Sequence, residues 1–288
     1  MIRKTKLAAV VLGLAALAGA EMASACSVAA WTGGAQNSPT AGGPPTAQHS
    51  RFQGGCSLKS TAVGQTVTDN TPAGASEGAY RVQFYVKANV TGAEVDVFNA
   101  KATGGTNVIR VTYDGTNFRF YANTAASPVS VAATNNRWYQ VQLNWARGSG
   151  TGKMGILVRG NCGTSATCNP VFNDLDSATP AITGLSNNSD GIDTAVLGWI
   201  AGAATGDITV DAFESRRATA IARICRDANG SGTVTPGDRT AITNELAGTV
   251  ITAAAAAPDC NFDGSVTPGD RTCVTNLLAA FETCVNTP

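Results

Sequence analysis

The chain has 288 residues, and its 20 Lys and Arg balance 20 Asp and Glu, for a formal net charge of zero. Hydrophobic residues make up 43% and charged residues 14%, which excludes a disordered polyelectrolyte and offers no basic patch for nucleic acid. The length suits one large domain and one small one.

At the N-terminus, Arg3, Lys4 and Lys6 precede an apolar run over 7–20, and Ala23-Ser24-Ala25 supplies a small-residue cleavage site. The run is too short to cross about 30 Å of hydrocarbon as a helix. Residues 1–25 therefore read as a signal peptide, and the mature chain is expected to be secreted, periplasmic or at the cell surface. A rival cut would make Cys26 a lipidated N-terminus, but Ala23 stands where lipoprotein signals usually carry Leu. No other apolar run is long enough to span a membrane. Residues 26–50 read as a flexible arm, because 32–50 is rich in Gly, Pro, Ala, Gln and Thr.

Eight cysteines in an exported chain imply disulfides. Cys162 and Cys168 bracket a short polar loop, and Cys26 with Cys56 would pin the arm. Cys225, Cys260, Cys273 and Cys284 share the C-terminal region and leave three connectivities open; a clasp of Cys225 to Cys284 is the pairing guessed. Zinc is excluded, since there is no C-x-x-C and His49 is the only histidine.

Period two dominates residues 51–216. Tyr80, Val82, Phe84, Val86 and Ala88 alternate with Arg81, Gln83, Tyr85 and Lys87, and Tyr139, Val141, Leu143 and Trp145 alternate with Trp138, Gln140, Gln142 and Asn144. Each run reads as a half-buried strand. Asp114-Gly115 between 107–113 and 118–122 is a hairpin signal. Further strands are expected at 52–60, 93–99, 128–133, 153–159, 194–201 and 206–214. About ten strands without a helical period between them predict a mainly β domain, an antiparallel sandwich. The segment 160–193 is polar and reads as a ligand rim or a surface loop.

Two functions suggest themselves for such a sandwich. Exposed aromatics can stack on sugar rings, and Trp138, Tyr85 and Tyr121 fall on the polar faces of their strands, so they are the candidate glycan-binding residues. Glycoside hydrolysis needs a pair of carboxyls at a set separation. Glu94 and Asp96 share a strand, but Asn99 stands where a second Glu would be needed, and an amide cannot protonate a leaving oxygen. No G-x-S-x-G occurs either.

The order of strands, with Arg137-Trp138-Tyr139-Gln140-Val141 and a closing strand Ile208-Thr209-Val210-Asp211-Ala212-Phe213, resembles concanavalin-A-like and laminin-G-like jelly rolls. That resemblance implies a jelly-roll sandwich over about 51–216. Families with this fold bind sugars, proteins or lipids, and some cleave glycans, so the fold does not choose a function. Residues 217–226 read as a linker.

The C-terminal region, 227–288, contains a repeat. Asp227-Ala-Asn229-Gly-Ser231-Gly232 through Thr235-Pro236-Gly237-Asp238-Arg239 returns, 32 residues on (227 to 259), as Asp259-Cys-Asn261-Phe-Asp263-Gly264 through Thr267-Pro268-Gly269-Asp270-Arg271. Oxygen-bearing side chains at positions 1, 3, 5 and 12, with Gly at 6, are the ligand pattern of a twelve-residue calcium loop. The expected ligands are Asp227, Asn229, Ser231, the Thr233 carbonyl and Asp238 at one site. At the other they are Asp259, Asn261, Asp263, the Ser265 carbonyl and Asp270. Three carboxylates against two predict that the second Ca2+ site is the tighter. Thr235 and Thr267 should cap helices with Pro at N1 and Asp at N3. The second helix should bury Val274, Leu277, Leu278 and Phe281; the first has Ile242 and Leu246, with Glu245 between them.

The pair of loops resembles a dockerin module. The resemblance implies two calcium loop–helix units in tandem, docking to a cohesin on an extracellular scaffold, in the service of polysaccharide breakdown. Partner contacts in that family come from loop positions 10 and 11, often Ser or Thr; here they are Pro236-Gly237 and Pro268-Gly269, without a hydroxyl. The expected protein is thus a non-catalytic, calcium-binding, exported one that docks to a cohesin-like or other surface protein and recognises a glycan or a surface protein. The alternatives are a divergent jelly-roll glycoside hydrolase and a structural surface protein in which calcium is a folding staple.

Overall fold

A computed structural model describes residues 40–41, 57–69, 78–160, 171–188, 191–217, 227–229, 231, 234–249, 258–261 and 266–279. The expected signal peptide, Cys26 and the pairs Cys26–Cys56, Cys162–Cys168 and Cys225–Cys284 lie outside these residues. Among the described residues no helix is long and apolar enough to cross a membrane.

The N-terminal part is a two-sheet antiparallel sandwich, as its alternating runs predict. One sheet has the order β1-β2-β14-β4-β9-β10-β11, with β12 also paired to β10; the other has the order β3-β13-β5-β6-β7-β8. In the first sheet β1 is Thr40–Ala41, β2 Leu58–Ser60, β4 Ala79–Thr91, β9 Arg137–Ala146, β10 Ser149–Gly160, β11 Phe172–Asn173, β12 Ile182–Ser186 and β14 Thr205–Arg216. In the second, β3 is Thr66–Asp69, β5 Val95–Lys101, β6 Asn107–Tyr113, β7 Asn117–Ala122, β8 Val129–Ala132 and β13 Thr194–Ala201. The β6–β7 hairpin turns where Asp114-Gly115 predicts. Gly115 takes φ +93°, and Asp114 Oδ1 accepts the N–H groups of Thr116 at 2.8 Å and Asn117 at 2.7 Å.

The inward residues of the two sheets form one core. Val82, Phe84, Val86, Tyr139, Val141, Leu143 and Trp145 from the first sheet meet Phe98, Ile109, Val111, Phe118 and Phe120 from the second. Phe84 and Phe98 stack across the interface with ring centroids 5.0 Å apart, an arrangement that adds to area burial.

The strand pattern differs from expectation on the opposite face of the first sheet. Cross-strand pairs put Tyr85 beside Gln140, Gln83 beside Gln142 and Lys87 beside Trp138. The half-buried reading predicts that this face meets solvent, yet Gln83, Tyr85, Trp138 and Gln140 are all 0% exposed. The segment read as a rim or loop explains part of the burial. It contains β11 and β12, both paired to β10, and its chain crosses over Gly155 so closely that a Cβ there would lie 2.4 Å from the Leu175 carbonyl oxygen. The strand expected at 52–60 is described only as β2.

The C-terminal part holds two helices, α1 (Pro236–Leu246) and α2 (Pro268–Ala279), which pack together. Their core is Ala228, Ile242, Cys260, Val266, Cys273, Val274 and Leu277, with Leu278 half-buried beside it; Phe281 lies outside the described residues. In α1 the buried face is Asp238, Ile242 and Glu245, while Leu246 is 38% exposed. Of the two apolar residues the sequence offers for this face, Ile242 is buried and Leu246 is not. Glu245 occupies the register of Leu277 in α2 (245 to 277), and the repeat fixes which face turns inward.

Candidate metal centre

Both helices begin in the same way. Thr235 has extended backbone (φ −136°, ψ 169°) and accepts the Gly237 N–H at 3.2 Å on its hydroxyl. Asp238, at N3, reaches back and accepts the Thr235 N–H at 2.6 Å on Oδ2. The second unit repeats this with Gly269 N–H to Thr267 Oγ1 at 3.1 Å and Thr267 N–H to Asp270 Oδ2 at 2.7 Å. A reciprocal cap of this kind satisfies donors that a helix start leaves unpaired. Pro at N1 costs nothing, because its missing N–H had no partner there.

The same carboxylates also hold the loops. Asp238 Oδ1 accepts the Asn229 N–H at 3.0 Å, and Asp270 Oδ1 accepts the Asn261 N–H at 3.1 Å. In the first loop the Ser231 N–H donates to Asp227 Oδ1 at 3.0 Å and Asn229 Oδ1 at 2.9 Å, so side-chain oxygens from positions 1 and 3 converge on one point. The acids are closed off from solvent: Asp227 is 4% exposed, and Asp238, Asp259 and Asp270 are 0%. Burial pushes the Asp238 carboxyl up from the ordinary aspartate range. The Thr235 and Asn229 N–H groups pull it down, but the neighbouring Asp227 carboxylate pushes it up again.

A carboxylate whose charge burial and a neighbouring carboxylate disfavour, in an oxygen-only setting, suits a hard divalent cation. Among the described residues there is no cluster of three or more His, Cys, Asp or Glu side chains. That follows from the ligand set: the first loop has two acids and fills its other positions with Asn229 and Ser231, and the second loop's middle acid, Asp263, lies outside the described residues. So do Thr233 and Ser265.

Cys260, in the second loop, is disulfide-bonded to Cys273 in α2, with Cα atoms 6.0 Å apart. The four C-terminal cysteines left three connectivities open, and spacing alone could not select this pair.

The candidate glycan residues are not brought together. Trp138 and Tyr85 are fully buried on the outer face of the first sheet, which corrects the expectation that they stand exposed; Lys87 Nζ lies 5.8 Å from the Trp138 ring centroid. Tyr121 is half-buried on the other sheet, under the Arg110 guanidinium at 4.3 Å. Near Tyr121 lies Glu94, whose carboxylate takes hydrogen bonds from Thr112 Oγ1 and, at 3.3 Å, from Tyr121 Oη, and pairs with Arg119 Nη1 at 3.1 Å. Burial alone would raise the Glu94 carboxyl, but the Thr112 hydroxyl, then Arg119, then Tyr121 outweigh it and hold it below the ordinary range. Asp96 pairs with Arg110 at 3.4 Å and accepts the Asn99 amide N–H at 3.2 Å. Glu94 is thus held in the charged form, not the protonated form that a general acid requires.

Residues 226–279 match the dockerin type I domain. Dockerin domains bind calcium and dock to cohesins, so the match supports a calcium-binding, protein-docking role for this part of the chain. No curated protein matches the chain. Among solved structures, the sandwich is similar to a Trypanosoma rangeli sialidase in complex with the inhibitor DANA, at 14% identity and a TM-score of 0.39, covering 57% of this chain and 26% of that one. It is similar also to a GH131 beta-glucanase catalytic domain from Podospora anserina (11%, TM-score 0.36, 57% and 72%) and to the botulinum neurotoxin serotype D binding domain (12%, TM-score 0.34, 56% and 39%). The chain thus spans about a quarter of the sialidase's length.

Proposed function

We propose that the chain is an exported, non-catalytic docking protein whose C-terminal unit takes up two calcium ions and then binds a protein partner. The single observation behind this reading is the doubled anchor. Asp238 and Asp270 each tie a helix cap to the start of an acidic loop through hydrogen bonds that agree to about 0.1 Å between the units. A Ca2+ ion at the first loop would be held by Asp227, Asn229, Ser231, the Thr233 carbonyl and Asp238. At the second it would be held by Asp259, Asn261, Asp263, the Ser265 carbonyl and Asp270. The ion neutralises carboxylates that otherwise repel, and its binding free energy becomes folding free energy for the unit. The second site is the tighter, by its extra acid.

The partner face we assign is also doubled. Arg239, Thr240, Thr243 and Asn244 are exposed on α1, and Arg271, Thr272, Thr275 and Asn276 repeat them on α2. The threonine hydroxyls donate back to carbonyls of their own helices, so the arginines lead the face, and they suit a cohesin-like surface carrying carboxylates. Pro236-Gly237 and Pro268-Gly269 offer no hydroxyl. The glycines serve the centre itself: a Cβ on Gly237 would press on the Asn229 amide at 3.1 Å, and one on Gly269 on that of Asn261 at 3.3 Å.

The sandwich recognises a glycan or a surface protein in a polysaccharide-degradation or cell-surface setting, and the engagement of Glu94 and Asp96 by arginines favours binding over hydrolysis. Calorimetric titration of calcium into the full chain tests the reading. The expected result is two sites, with Asp238→Ala removing the weaker and Asp270→Ala the tighter. One site, no site or the reverse assignment would count against it.

A further inference from the structure

The two loop–helix units agree at their anchoring hydrogen bonds, but a covalent link joins one pair of register positions in the second unit. Cys260, second residue of the second loop, is bonded to Cys273, three residues beyond Asp270 in α2. In the first unit the same register (260 to 228, 273 to 241) holds Ala228 and Ala241, which pack in the same core without a covalent link. Cys260 sits between Asp259 and Asn261, which are 0% and 4% exposed. The disulfide therefore ties the start of the second loop to the helix that carries its last acid. The hydrogen bond from the Asn229 N–H to Asp238 Oδ1 makes that connection in the first unit, and its counterpart from Asn261 to Asp270 stands beside the disulfide in the second.

We propose that Cys260 and Cys273 are positioning residues for calcium at the second loop. The disulfide adds a covalent hold of Asp259 and Asn261 against Asp270 before the ion arrives, whereas the first loop is held at that point by hydrogen bonds, which yield more readily. The inference rests on the calcium-dependent docking reading and adds a cause for unequal sites that the count of acids does not contain. An ion that must order its own ligands loses affinity to that ordering. A cross-link removes much of the disorder from the chain beforehand. Loading is then sequential, second loop first as calcium rises, and the gap between the two sites depends on the redox state of one bond. A dithiol reductant supplies two electrons and two protons; Cys260 and Cys273 become thiols and the reductant becomes a disulfide. The site survives this chemically, since neither sulfur is a ligand, but it loses its prior shape.

Calcium titration of the oxidised full chain beside its Cys260→Ala/Cys273→Ala variant tests this, with each site assigned through Asp238→Ala and Asp270→Ala. Affinity at the second loop should fall about tenfold or more, and affinity at the first loop should stay as it was. The converse variant, Ala228→Cys/Ala241→Cys, covers the case in which the first variant fails to fold. Once oxidised, it should tighten the first loop by a similar factor, and an unaltered first loop in that variant would overturn the proposal. Unchanged affinities in the alanine variant, or equal weakening of both loops, would also overturn this inference alone. A parent chain that takes up no calcium would remove the docking reading with it.

Discussion

Glu94 shows how a residue type misleads until its neighbours are known. Just before strand β5 of the sandwich, two residues from Asp96, it has the spacing of a catalytic acid. Its surroundings instead commit it as an ion: the Thr112 hydroxyl, Arg119 and Tyr121 all favour the charged form over the burial that opposes it. Asp114 is held low in the same manner, with burial outweighed by the Thr116 hydroxyl and the N–H groups of Thr116 and Asn117, and it shares Arg119 at 2.7 Å. A depressed folded-state pKa gives stability that is complete above the unfolded value, about 4 for a carboxyl, and is lost as pH falls through the folded value. Glu94→Gln should therefore flatten the acid limb of the sandwich's melting temperature against pH and change little at pH 7, since the group is about a third exposed and its ion pair is solvent-screened. A melting curve whose acid limb is identical in the variant would show that this network stores no such energy. For the glycan candidates the sequence signal was weaker. Alternation put Trp138 and Tyr85 on the face away from the core, which is where they are. Alternation does not say whether that face is open.

At the scale of the element, that covered face is the main departure from what the pattern predicts. The strands β4 and β9 and the β6–β7 hairpin were legible because period two and Asp-Gly turn chemistry are local rules. The burial of Gln83, Gln140 and Gln142 was not, because it depends on a distant segment returning over the sheet. Gln140 Nε2 donates to Gln83 Oε1 at 2.8 Å, a pairing that only the folded register creates. Gly155 marks one point of return. Its place beneath the Leu175 carbonyl leaves no room for a Cβ, and the obstruction is backbone rather than a movable side chain. Gly155→Ala should lower the unfolding free energy of the sandwich by about 1–3 kcal/mol, the usual cost of overpacking. Gly78→Ala, where a Cβ meets nothing within 4 Å, should change it little. Urea denaturation of both variants checks the contrast; equal effects would mean that the 171–176 chain is not held against β10.

At the scale of the molecule, the C-terminal unit was the more legible part, for a reason specific to repeats. Each loop position is stated twice, and register fixes the ligands, the caps and the buried helix face together. What register cannot give is the pair of cysteines that makes the units unequal, since it appears in one copy only. The two parts also have cores of their own. Among the described residues, the sandwich core draws on residues from Val67 to Val210 and the helical core on residues from Ala228 to Leu277, with no member in common, while Tyr85, Trp138, Leu157 and Leu175 are buried outside both. Separate cores predict separate cooperative transitions, and calcium should act on one of them. Saturation of a site at a hundredfold excess over its Kd adds about 2.7 kcal/mol, and in a domain of about 60 residues each kcal/mol moves the midpoint by about 4–8 °C. Calorimetry of the full chain should therefore show a transition that falls by about 10 °C or more when EDTA replaces calcium, while the sandwich transition stays in place. A single transition that moves as a whole would join the two cores into one folding unit. Two transitions indifferent to EDTA would leave the buried acids of both loops without the ion that justifies their burial.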